Sequence, residues 1–304
     1  MGTGWSGAEP RVALITGAGH GIGAGTAETL APRGWSLAVV DLDLAAAEAV
    51  AGRCGERAVA VGADITDSEA LRAAVDGTLE RFGKLDLCFA NAGIATGGAM
   101  RHVDPDVFAV NVEVNLSGTF RTIHACLPHL IDSSGYLLIN ASASALMAPP
   151  GLGAYGASKA GIENLGDTLR REVAHLGVDV GVLYLLWVDT DMVTGSERRF
   201  RSFAQLRSKM RGPLGKTMAL SKAVNAIVAG IDGRSRRIIA PRILRAVYRL
   251  RGLIGRPVER DMFAMAPMVD EVTLAEIRER GLAGEIRTDT AAGAAAAEAV
   301  ARRP

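Results

Sequence analysis

The chain alternates short apolar runs with segments of helical length, and this alternation restricts its fold more than any other feature. The apolar runs, with RRIIAP as a candidate seventh, cover residues 11–17, 35–43, 57–66, 85–93, 136–142, 178–186 and 236–241. Strands separated by helices form parallel sheets with helices on both faces. Near-continuous apolar strands fit such a sheet, because both of its faces are covered. The sequence therefore predicts a doubly wound α/β domain.

This pattern occupies only part of the chain. Residues 9–240 form the predicted domain, and residues 241–288 form a predicted helical extension packed on it. Residues 1–8 are expected to be flexible. The segment 289–304, DTAAGAAAAEAVARRP, is low in complexity and lacks a core-facing pattern, so it is expected to be disordered or a frayed helix.

Charge and cysteine content exclude several classes of protein. The formal net charge of +1 gives no global field for nucleic acid or a membrane. Cys54, Cys88 and Cys126 are widely spaced and fit neither a metal site nor a disulfide framework. The five histidines include no pair at zinc spacing. With no signal peptide and no membrane-spanning run, the sequence predicts a cytoplasmic protein without a metal.

A glycine-rich turn, ITGAGHGIG, follows the first strand and precedes a helix. Glycine lets the backbone approach a pyrophosphate, and a helix N-terminus supplies free N–H groups and a positive dipole end. In this context the turn predicts a Rossmann-type dinucleotide site, although a tight turn without a ligand is the alternative. The predicted cofactor contacts here are Gly17, Gly19, His20, Gly21, Ile22 and Gly23.

Asp41 ends the second strand, 18 residues after Gly23. An acid near this position accepts hydrogen bonds from the adenosine ribose and repels a 2′-phosphate. Leu42 and Asp43 follow, so no arginine is ready to hold that phosphate, and a largely neutral His20 would hold it poorly. The sequence therefore favours NAD over NADP. A plain helix N-cap is the alternative role for Asp41.

Tyr155 and Lys159 are four residues apart in GAYGASKAG and share one face of a predicted helix. A phenol is a weak base near neutral pH, but a nearby ammonium lowers its pKa. Tyr155 could then exchange a proton with an alcohol or a ketone. The small residues around the pair leave room for cofactor and substrate. On spacing alone, a solvated surface pair of Tyr and Lys is the better interpretation.

Several motifs occur together and in order. They are T-G-x-x-x-G-x-G from Thr16, N-A-G from Asn91, Asn115 in NVEVNLSG, Ser142 placed 13 residues before Tyr155, and Y-x-x-x-K. In these motifs, residues 9 to 240 resemble the short-chain dehydrogenase/reductase family.

The resemblance implies four catalytic roles. Tyr155 is the general acid/base, and Lys159 holds the nicotinamide ribose and lowers the tyrosine pKa. Ser142 orients the substrate oxygen, and Asn115 supports a water chain to Lys159. Two simpler roles stay open. Ser142 could be a satisfied loop hydroxyl, with Ser144 competing for its catalytic role, and Asn115 could bend or cap its helix.

The resemblance also implies further cofactor contacts. Asp64, at the end of the third strand, and the Ile65 backbone would hold the adenine amino group. Thr190 and the Val188 backbone would contact the carboxamide. The cofactor cleft would also be lined by Asn91, Ala92 and Gly93.

One departure from the family pattern affects the substrate side. Leu185 and Leu186 stand where the family usually has Pro-Gly, which predicts a more apolar wall beside the reacting carbon. The family's mobile lid would cover about 191–220. Its basic residues could recognise an acidic substrate, but we favour a solvated helix face; they are Arg198, Arg199, Arg201, Arg207, Lys209 and Arg211.

The lid and the extension also carry apolar side chains. Phe200, Phe203, Leu206 and Met210 recur at helical spacing and could line an apolar cavity or pack within the lid. The extension beyond Pro241 could lie on an anionic membrane surface. We favour packing on the domain, with burial of Tyr248, Leu250 and Leu253.

Together these features predict an NAD-dependent oxidoreductase that interconverts a secondary alcohol and a ketone on an apolar substrate. The family resemblance implies a homodimer or homotetramer formed through helices near 104–130 and 154–176. Two alternatives remain: an NADPH-dependent carbonyl reductase, and a dinucleotide-binding sensor or scaffold without catalysis.

Overall fold

A computed structural model of the chain describes residues 5, 10–210, 212–250, 255–280, 295 and 298. Seven parallel strands form one sheet in the order β3-β2-β1-β4-β5-β6-β7. In chain order, β1 to β7 are Val12–Thr16, Ser36–Asp41, Ala58–Gly62, Leu87–Ala90, Tyr136–Asn140, Asp179–Leu185 and Arg237–Ala240. The predicted doubly wound sheet, including its seventh strand, is confirmed.

Helices connect the strands and cover both faces of the sheet. In chain order, α1 to α12 are Gly21–Leu30, Leu44–Cys54, Ser68–Phe82, Pro105–Val112, Thr119–Asp132, Ser144–Met147, Gly153–Glu172, Asp191–Arg199, Arg201–Lys209, Leu220–Asp232, Ile243–Leu250 and Gly255–Arg280. The strand order reverses between β1 and β4, because the chain returns from β3 at one edge to place β4 beside β1. In open α/β sheets, ligands bind outside the carboxyl ends of the strands at such a switch point.

Two hydrophobic cores lie on the two faces of the sheet, because successive strand residues point to opposite sides. Ile15 and Phe89 pack on the face covered by α1, α2 and α10. Leu14 and Cys88 pack on the face covered by α3, α5 and α7. The side chains of both cores are buried and closely packed, and they give the cavity at the strand ends a rigid support.

The lid begins with α8 and α9, and α9 packs against the C-terminal helix α12. Phe200, Phe203 and Leu206 contact Met265 and Val269 in one buried apolar cluster. This cluster joins residues that are more than 60 positions apart in the sequence.

The N-terminus of α9 is also held by a carboxylate from α12. Buried Glu276 accepts hydrogen bonds from the Arg201 backbone N–H at 2.5 Å and from the Ser202 hydroxyl at 2.6 Å. Because the first N–H groups of a helix have no partner within the helix, Glu276 serves as an N-terminal cap supplied from elsewhere in the chain.

Helix α12 also contacts the loop that follows β4. The Ala99 N–H donates to the Thr273 hydroxyl at 3.1 Å. Asp270 pairs with Arg101 and lies 3.2 Å from His102 Nε2. Helix α12 therefore connects the lid to the loop that follows β4.

Helix α11 packs on the β6–β7 edge through Leu244 and Val247, which are buried against Leu186. The Tyr248 ring lies 5.5 Å from the Tyr184 ring. The expected burial of Leu250 is wrong: this side chain is 43% exposed, because its position on the helix faces away from the sheet.

Several expectations concern residues at the chain ends. Leu253, most of 1–8 and nearly all of 289–304 lie outside the described residues. Within 1–8, Trp5 donates from Nε1 to the Ile231 carbonyl at 3.0 Å and packs edge-to-face on Trp35.

Candidate active site

A cavity of about 390 Å³ opens at the carboxyl ends of the strands. Gly19, Gly23 and Asn115 do not line it and lie behind its wall. The structure brings the other predicted site residues together around this one space: Gly17, His20, Gly21, Ile22, Asp41, Asp64, Ile65, Asn91, Ala92, Gly93, Ser142, Tyr155, Lys159, Val188 and Thr190.

The glycine turn presents free backbone donors to one end of the cavity. Gly17 and Gly21 have φ angles of +63° and +51°, which favour glycine. A side chain at Gly23 could not fit, since its Cβ would lie 2.2 Å from the Gly17 carbonyl oxygen. His20 is the N-cap of α1 but makes no side-chain cap hydrogen bond. The first N–H groups of α1 therefore lack a side-chain cap, and they fit a phosphate group.

The Asp41 carboxylate lies at the end of β2, beside this turn. Its Oδ2 accepts from the Gly19 N–H at 2.8 Å, and its Oδ1 accepts from the Asp43 N–H at 3.0 Å. The N-cap of α2 is Asp43, which accepts from Ala46 N–H at 3.1 Å. The alternative role of Asp41 as a helix N-cap is therefore wrong, and its carboxylate lines the cavity.

Strand β3 ends at Gly62, so Asp64 lies two residues beyond the strand and not at its end, where the sequence pattern placed it. Its Oδ1 accepts from both the N–H and the hydroxyl of Thr66, each at 2.8 Å. These bonds hold the carboxylate at the rim of the cavity beside Ile65. The position fits a contact with the base of a dinucleotide.

A chain of hydrogen bonds runs under the floor of the cavity from the glycine turn to Lys159. Asn91 donates from Nδ2 to the carbonyls of Thr16 and Gly17, at 3.0 and 3.1 Å. Asn140 donates to Asn91 Oδ1 at 2.9 Å, and Lys159 Nζ donates to the Asn140 carbonyl at 2.8 Å. These bonds fix the turn, two strand ends and the lysine relative to one another.

Sequence reasoning missed Asn140 and the supporting role of Thr16 in this network. The Thr16 hydroxyl accepts from the Asn91 and Ala92 N–H groups, at 3.1 and 3.2 Å. A usable signal for Asn140 was present, since YLLIN ends an apolar strand with a polar residue beside the switch point.

Lys159 is 3% exposed, and desolvation lowers its pKa to about 8. Its ammonium lies 5.6 Å from the centre of the Tyr155 ring. The two side chains face one space at the start of α7, so the interpretation as a solvated surface pair is wrong. A buried ammonium next to a phenol favours the phenolate form.

Asn115 lies in a π-helical segment, Glu113–Gly118, between α4 and α5. Its Oδ1 accepts from the Ile94 N–H at 2.8 Å, and its Nδ2 donates to the Ile94 carbonyl at 2.9 Å and to Ser158 at 3.2 Å. A Cβ on Gly93 would lie 2.7 Å from Asn115 Oδ1 and 3.5 Å from Lys159 Nζ. Asn115 therefore supports the loop beside the lysine, and π segments are frequent at functional sites.

Ser142 and Ser144 have different environments. Ser142 lines the cavity, and its oxygen accepts from the Ser144 N–H at 3.2 Å. The Ser144 N–H occupies one lone pair of the Ser142 oxygen. The Ser142 O–H is therefore available to donate a hydrogen bond to another oxygen. The Ser144 hydroxyl is buried and has no hydrogen-bond partner among the described residues. Ser144 also lines the cavity, so both hydroxyls border the space for a substrate and the two serines still compete for this role.

The two leucines that replace Pro-Gly continue the strand instead of turning it. Leu186 N–H donates to the Ala240 carbonyl at 3.2 Å, and the Leu185 carbonyl accepts from Ala143 at 2.9 Å. Both side chains line the cavity while they remain at least nine-tenths buried. Trp187 follows and donates from Nε1 to the Leu214 carbonyl at 2.8 Å. The predicted apolar wall is present at this position.

The rest of the substrate end is also apolar, and within the described part of the lid no arginine lines it. Arg207 is buried, pairs with Glu197 at 2.8 Å and lies over the Trp187 ring. Arg201 pairs with Glu279 at 2.6 Å. Arg207 therefore holds the lid together and departs from the predicted solvated face, whereas Arg198, Arg201 and Lys209 are exposed and fit it. The remaining lining includes Met147, Leu152, Met192, Val193 and Phe203.

The arrangement combines a dinucleotide-shaped binding surface, a proton donor beside a buried cation, and an apolar pocket. Thr190 lies between the two ends, since a Cβ on Gly21 would be 3.2 Å from its methyl group and its hydroxyl donates to the Val188 carbonyl at 3.3 Å. Among the described residues, no group of His, Cys, Asp and Glu side chains is arranged to hold a metal, and no helix could cross a membrane.

Comparisons with known proteins agree with this chemistry. Residues 11–199 match the short chain dehydrogenase family model. The chain is 32% identical to (−)-trans-carveol dehydrogenase of Rhodococcus erythropolis, with 64% of this chain and 77% of that protein aligned. It is 30% identical to (+)-borneol dehydrogenase 1 of Salvia officinalis, with 72% and 85% aligned.

Solved structures show the same fold. A short chain dehydrogenase/reductase from Burkholderia phymatum in complex with NAD matches with a TM-score of 0.71, 26% identity, and coverage of 82% of this chain and 95% of that one. The 3-ketoacyl-(acyl-carrier-protein) reductase from Brucella melitensis, complexed with NADH, matches with a TM-score of 0.68, 31% identity, and coverage of 75% and 93%. The chain therefore belongs to the short-chain dehydrogenase/reductase family and is an NAD(P)-dependent oxidoreductase acting on CH–OH or C=O groups.

Proposed function

We propose that this enzyme interconverts a secondary alcohol and a ketone on an apolar substrate, with NAD as its cofactor and Tyr155 as the general acid/base. The observation that carries this proposal is the meeting of Tyr155, Lys159 and Ser142 at the junction between a polar dinucleotide groove and an apolar pocket. The names of two relatives, carveol dehydrogenase and borneol dehydrogenase, support an alcohol on an apolar skeleton.

The choice of NAD rests on the Asp41 carboxylate. It lines the cavity at the end of β2, where an adenosine ribose fits, and it would repel a 2′-phosphate there. The uncapped start of α1 would hold the pyrophosphate. When bound, NAD supplies the acceptor or donor of hydride.

The chain's own residues would bind the reacting oxygen and move its proton. Ser142 donates a hydrogen bond to that oxygen, because its acceptor side already faces the Ser144 N–H. Tyr155 takes the alcohol proton during oxidation and returns it during reduction. Lys159 keeps the phenol acidic through its positive charge, and its bond to the Asn140 carbonyl holds it in place. The apolar wall with Leu186 excludes water from the reacting carbon.

Absorbance of NADH tests the proposal directly. The purified protein is offered cyclic terpene, steroid, aryl and 3-hydroxyacyl alcohols with NAD⁺ and, separately, with NADP⁺. We expect turnover with NAD⁺ and a loss of about 100- to 10,000-fold in kcat for Tyr155→Phe, since acid/base groups contribute this much. Cofactor affinity should stay within about twofold.

Two results would contradict the proposal. Preferred turnover with NADPH would assign the protein as a carbonyl reductase of the alternative cofactor class. Tight NAD binding without turnover of any alcohol or ketone, and without an effect of Tyr155→Phe, would assign it as a sensor or scaffold. The homo-oligomeric state and the cytoplasmic location stay predictions.

A further inference from the structure

Helix α11 has two faces with opposite character. Leu244 and Val247 point inward, are less than 8% exposed, and pack in one cluster with Met147 and Leu186. The outward face is exposed and carries both charge and apolar groups. An eight-residue helix that is half core and half exposed in this way has an outer surface that no described part of the chain covers.

Three arginines form a stripe along the outward face. Arg242 precedes the helix, and Arg245 and Arg249 follow at spacings of three and four residues, so all three lie on one side. All three are exposed, and none forms an ion pair with any other described residue. Ile243 and Leu250 flank the stripe and are 42% and 43% exposed.

The positive surface continues onto the neighbouring elements. Tyr248 on α11 accepts a hydrogen bond from Arg237 Nε on β7 at 3.1 Å. Arg237 also pairs with Asp167 on α7, a carboxylate that Arg170 shares, so α11 and α7 meet on either side of Arg237. Burial and the neighbouring charge of Arg236 lower the pKa of Arg170. Arg171 and Arg236 are also exposed there. Like charges have thus been gathered on one side of a chain whose net charge is only +1.

We propose that the outward face of α11 docks the protein on an anionic phospholipid surface. Guanidinium groups bind phosphate oxygens through paired hydrogen bonds, and the arginine stripe presents three of them side by side. Ile243 and Leu250 would enter the boundary between headgroups and acyl chains, as apolar residues of interfacial helices do. A second copy of the chain fits this face poorly, because a two-fold contact would set arginine against arginine.

The position of α11 connects this docking to the substrate end of the cavity. Its inner face packs on Leu186 and Met147, which line the substrate end of the cavity. Docking would therefore hold the substrate wall close to the lipid, where apolar molecules concentrate. This consequence, unlike the docking itself, rests on the proposed function with an apolar substrate.

Vesicle sedimentation tests the docking with the full chain. Vesicles of phosphatidylcholine with one quarter phosphatidylglycerol are compared with pure phosphatidylcholine at low and high salt. We expect binding to the anionic vesicles only, weakened by salt. Arg242→Glu/Arg245→Glu/Arg249→Glu should bind at least about 100-fold more weakly, since each arginine lost near such a surface costs about fivefold and the three new carboxylates add repulsion.

The matched control reverses three exposed arginines elsewhere, in Arg57→Glu/Arg72→Glu/Arg81→Glu. These lie at or beside β3 and on α3, which packs over β1 and β2 at the other side of the sheet. The control has the same net charge as the α11 variant and should retain vesicle binding. Circular dichroism and NADH binding establish that each variant is folded. Equal losses in both triple variants would contradict the proposal, since net charge alone would then explain binding.

A third variant, Ile243→Ser/Leu250→Ser, separates a lipid surface from a soluble acidic partner. If Ile243 and Leu250 insert into the bilayer, this variant should bind anionic vesicles more weakly than the wild type. Heparin serves as a soluble polyanion probe. Binding to heparin without binding to anionic vesicles, unaffected by the two serines, would overturn the proposal in favour of a soluble acidic partner. Self-association that the arginine reversals alter, without vesicle binding, would overturn it in favour of a subunit contact.

Discussion

The two ends of the cavity are built in different ways. The cofactor end consists of buried polar groups that hydrogen-bond to backbone, as the chain from Asn91 through Asn140 to Lys159 illustrates. The substrate end consists of apolar side chains supported by α9, α11 and α12. Buried polar groups cost free energy unless they are satisfied, whereas apolar burial stabilises the fold. The enzyme therefore gains its stability at one end and its chemistry at the other.

The cofactor end should become more stable when its buried charge is removed. The pKa of Lys159 is about 8 in the folded protein and about 10.5 when unfolded, so folding disfavours its charged form. Lys159→Met should raise the free energy of unfolding at pH 7 by about 3 kcal/mol, less the lost bond to Asn140. Between pH 8 and 10.5 the unfolded wild type binds more protons than the folded one. Wild-type stability thus rises with pH, and the difference between the proteins shrinks.

Urea unfolding of both proteins from pH 7 to 10.5, without cofactor, measures this effect. Lys222→Met, on the exposed surface of α10, is the control and should show no such pH dependence. A constant difference between Lys159→Met and wild type would contradict the prediction that desolvation dominates at this site.

At the substrate end, removing a side chain should lower the free energy of unfolding instead of raising it. Leu186→Ala removes a side chain that contacts α11 and lines the cavity, and it should lower the free energy of unfolding by about 3 kcal/mol. It should also shift the preference among alcohols toward larger substrates, while NAD affinity stays unchanged. Leu250→Ala, on the exposed side of α11, should change neither quantity. A large loss of NAD affinity in Leu186→Ala would show that the two ends are not independent.

Asp41→Ala tests the cofactor end through its preference for NAD over NADP. Removing the carboxylate should lower the preference for NAD over NADP by about 10- to 100-fold, because a charge-assisted hydrogen bond contributes about 1.5–3 kcal/mol. The ranking of alcohol substrates should stay the same. Asp41→Asn keeps the shape without the charge, and it separates repulsion of the 2′-phosphate from support of the Gly19 turn. An unchanged cofactor ratio in both variants would place the specificity elsewhere.

Glu276→Gln gives the smallest expected effect. The amide can accept only part of what the carboxylate accepts from Arg201 N–H and Ser202, so α9 should lose about 1 kcal/mol of local stability. Hydrogen exchange should become faster in α9 and stay unchanged in the sheet, with a raised KM for bulky alcohols. Glu279→Gln, an exposed partner of Arg201, should have almost no effect. Faster exchange throughout the sheet would instead indicate global destabilisation.

Sequence reasoning succeeded where the relevant physics is local. The glycine turn, Asp41 and the Tyr155–Lys159 pair each lie within a short stretch, so strand and helix periodicities were enough to place them at one edge of the sheet. The same reasoning predicted the seven strands because buried parallel strands are almost continuously apolar.

It failed where distant residues decide the environment. Glu276 caps a helix that begins 75 residues earlier, and no local pattern identifies such a partner. Leu250 and Leu244 are the same residue type on one helix, yet only the packing of α11 on β7 determines which of them is buried. The sequence pattern indicates a surface position for Arg207, but in the structure Glu197 and Trp187 enclose its side chain.

The contact between α9 and α12 also sets an order of events during protein synthesis. Phe203 completes its surroundings only when Val269 is present, and at about 5–20 residues per second the intervening chain takes roughly 3 to 13 seconds to synthesise. All seven strands leave the ribosome before α12 does. The nascent enzyme can therefore assemble its cofactor end first, and the substrate end is finished last.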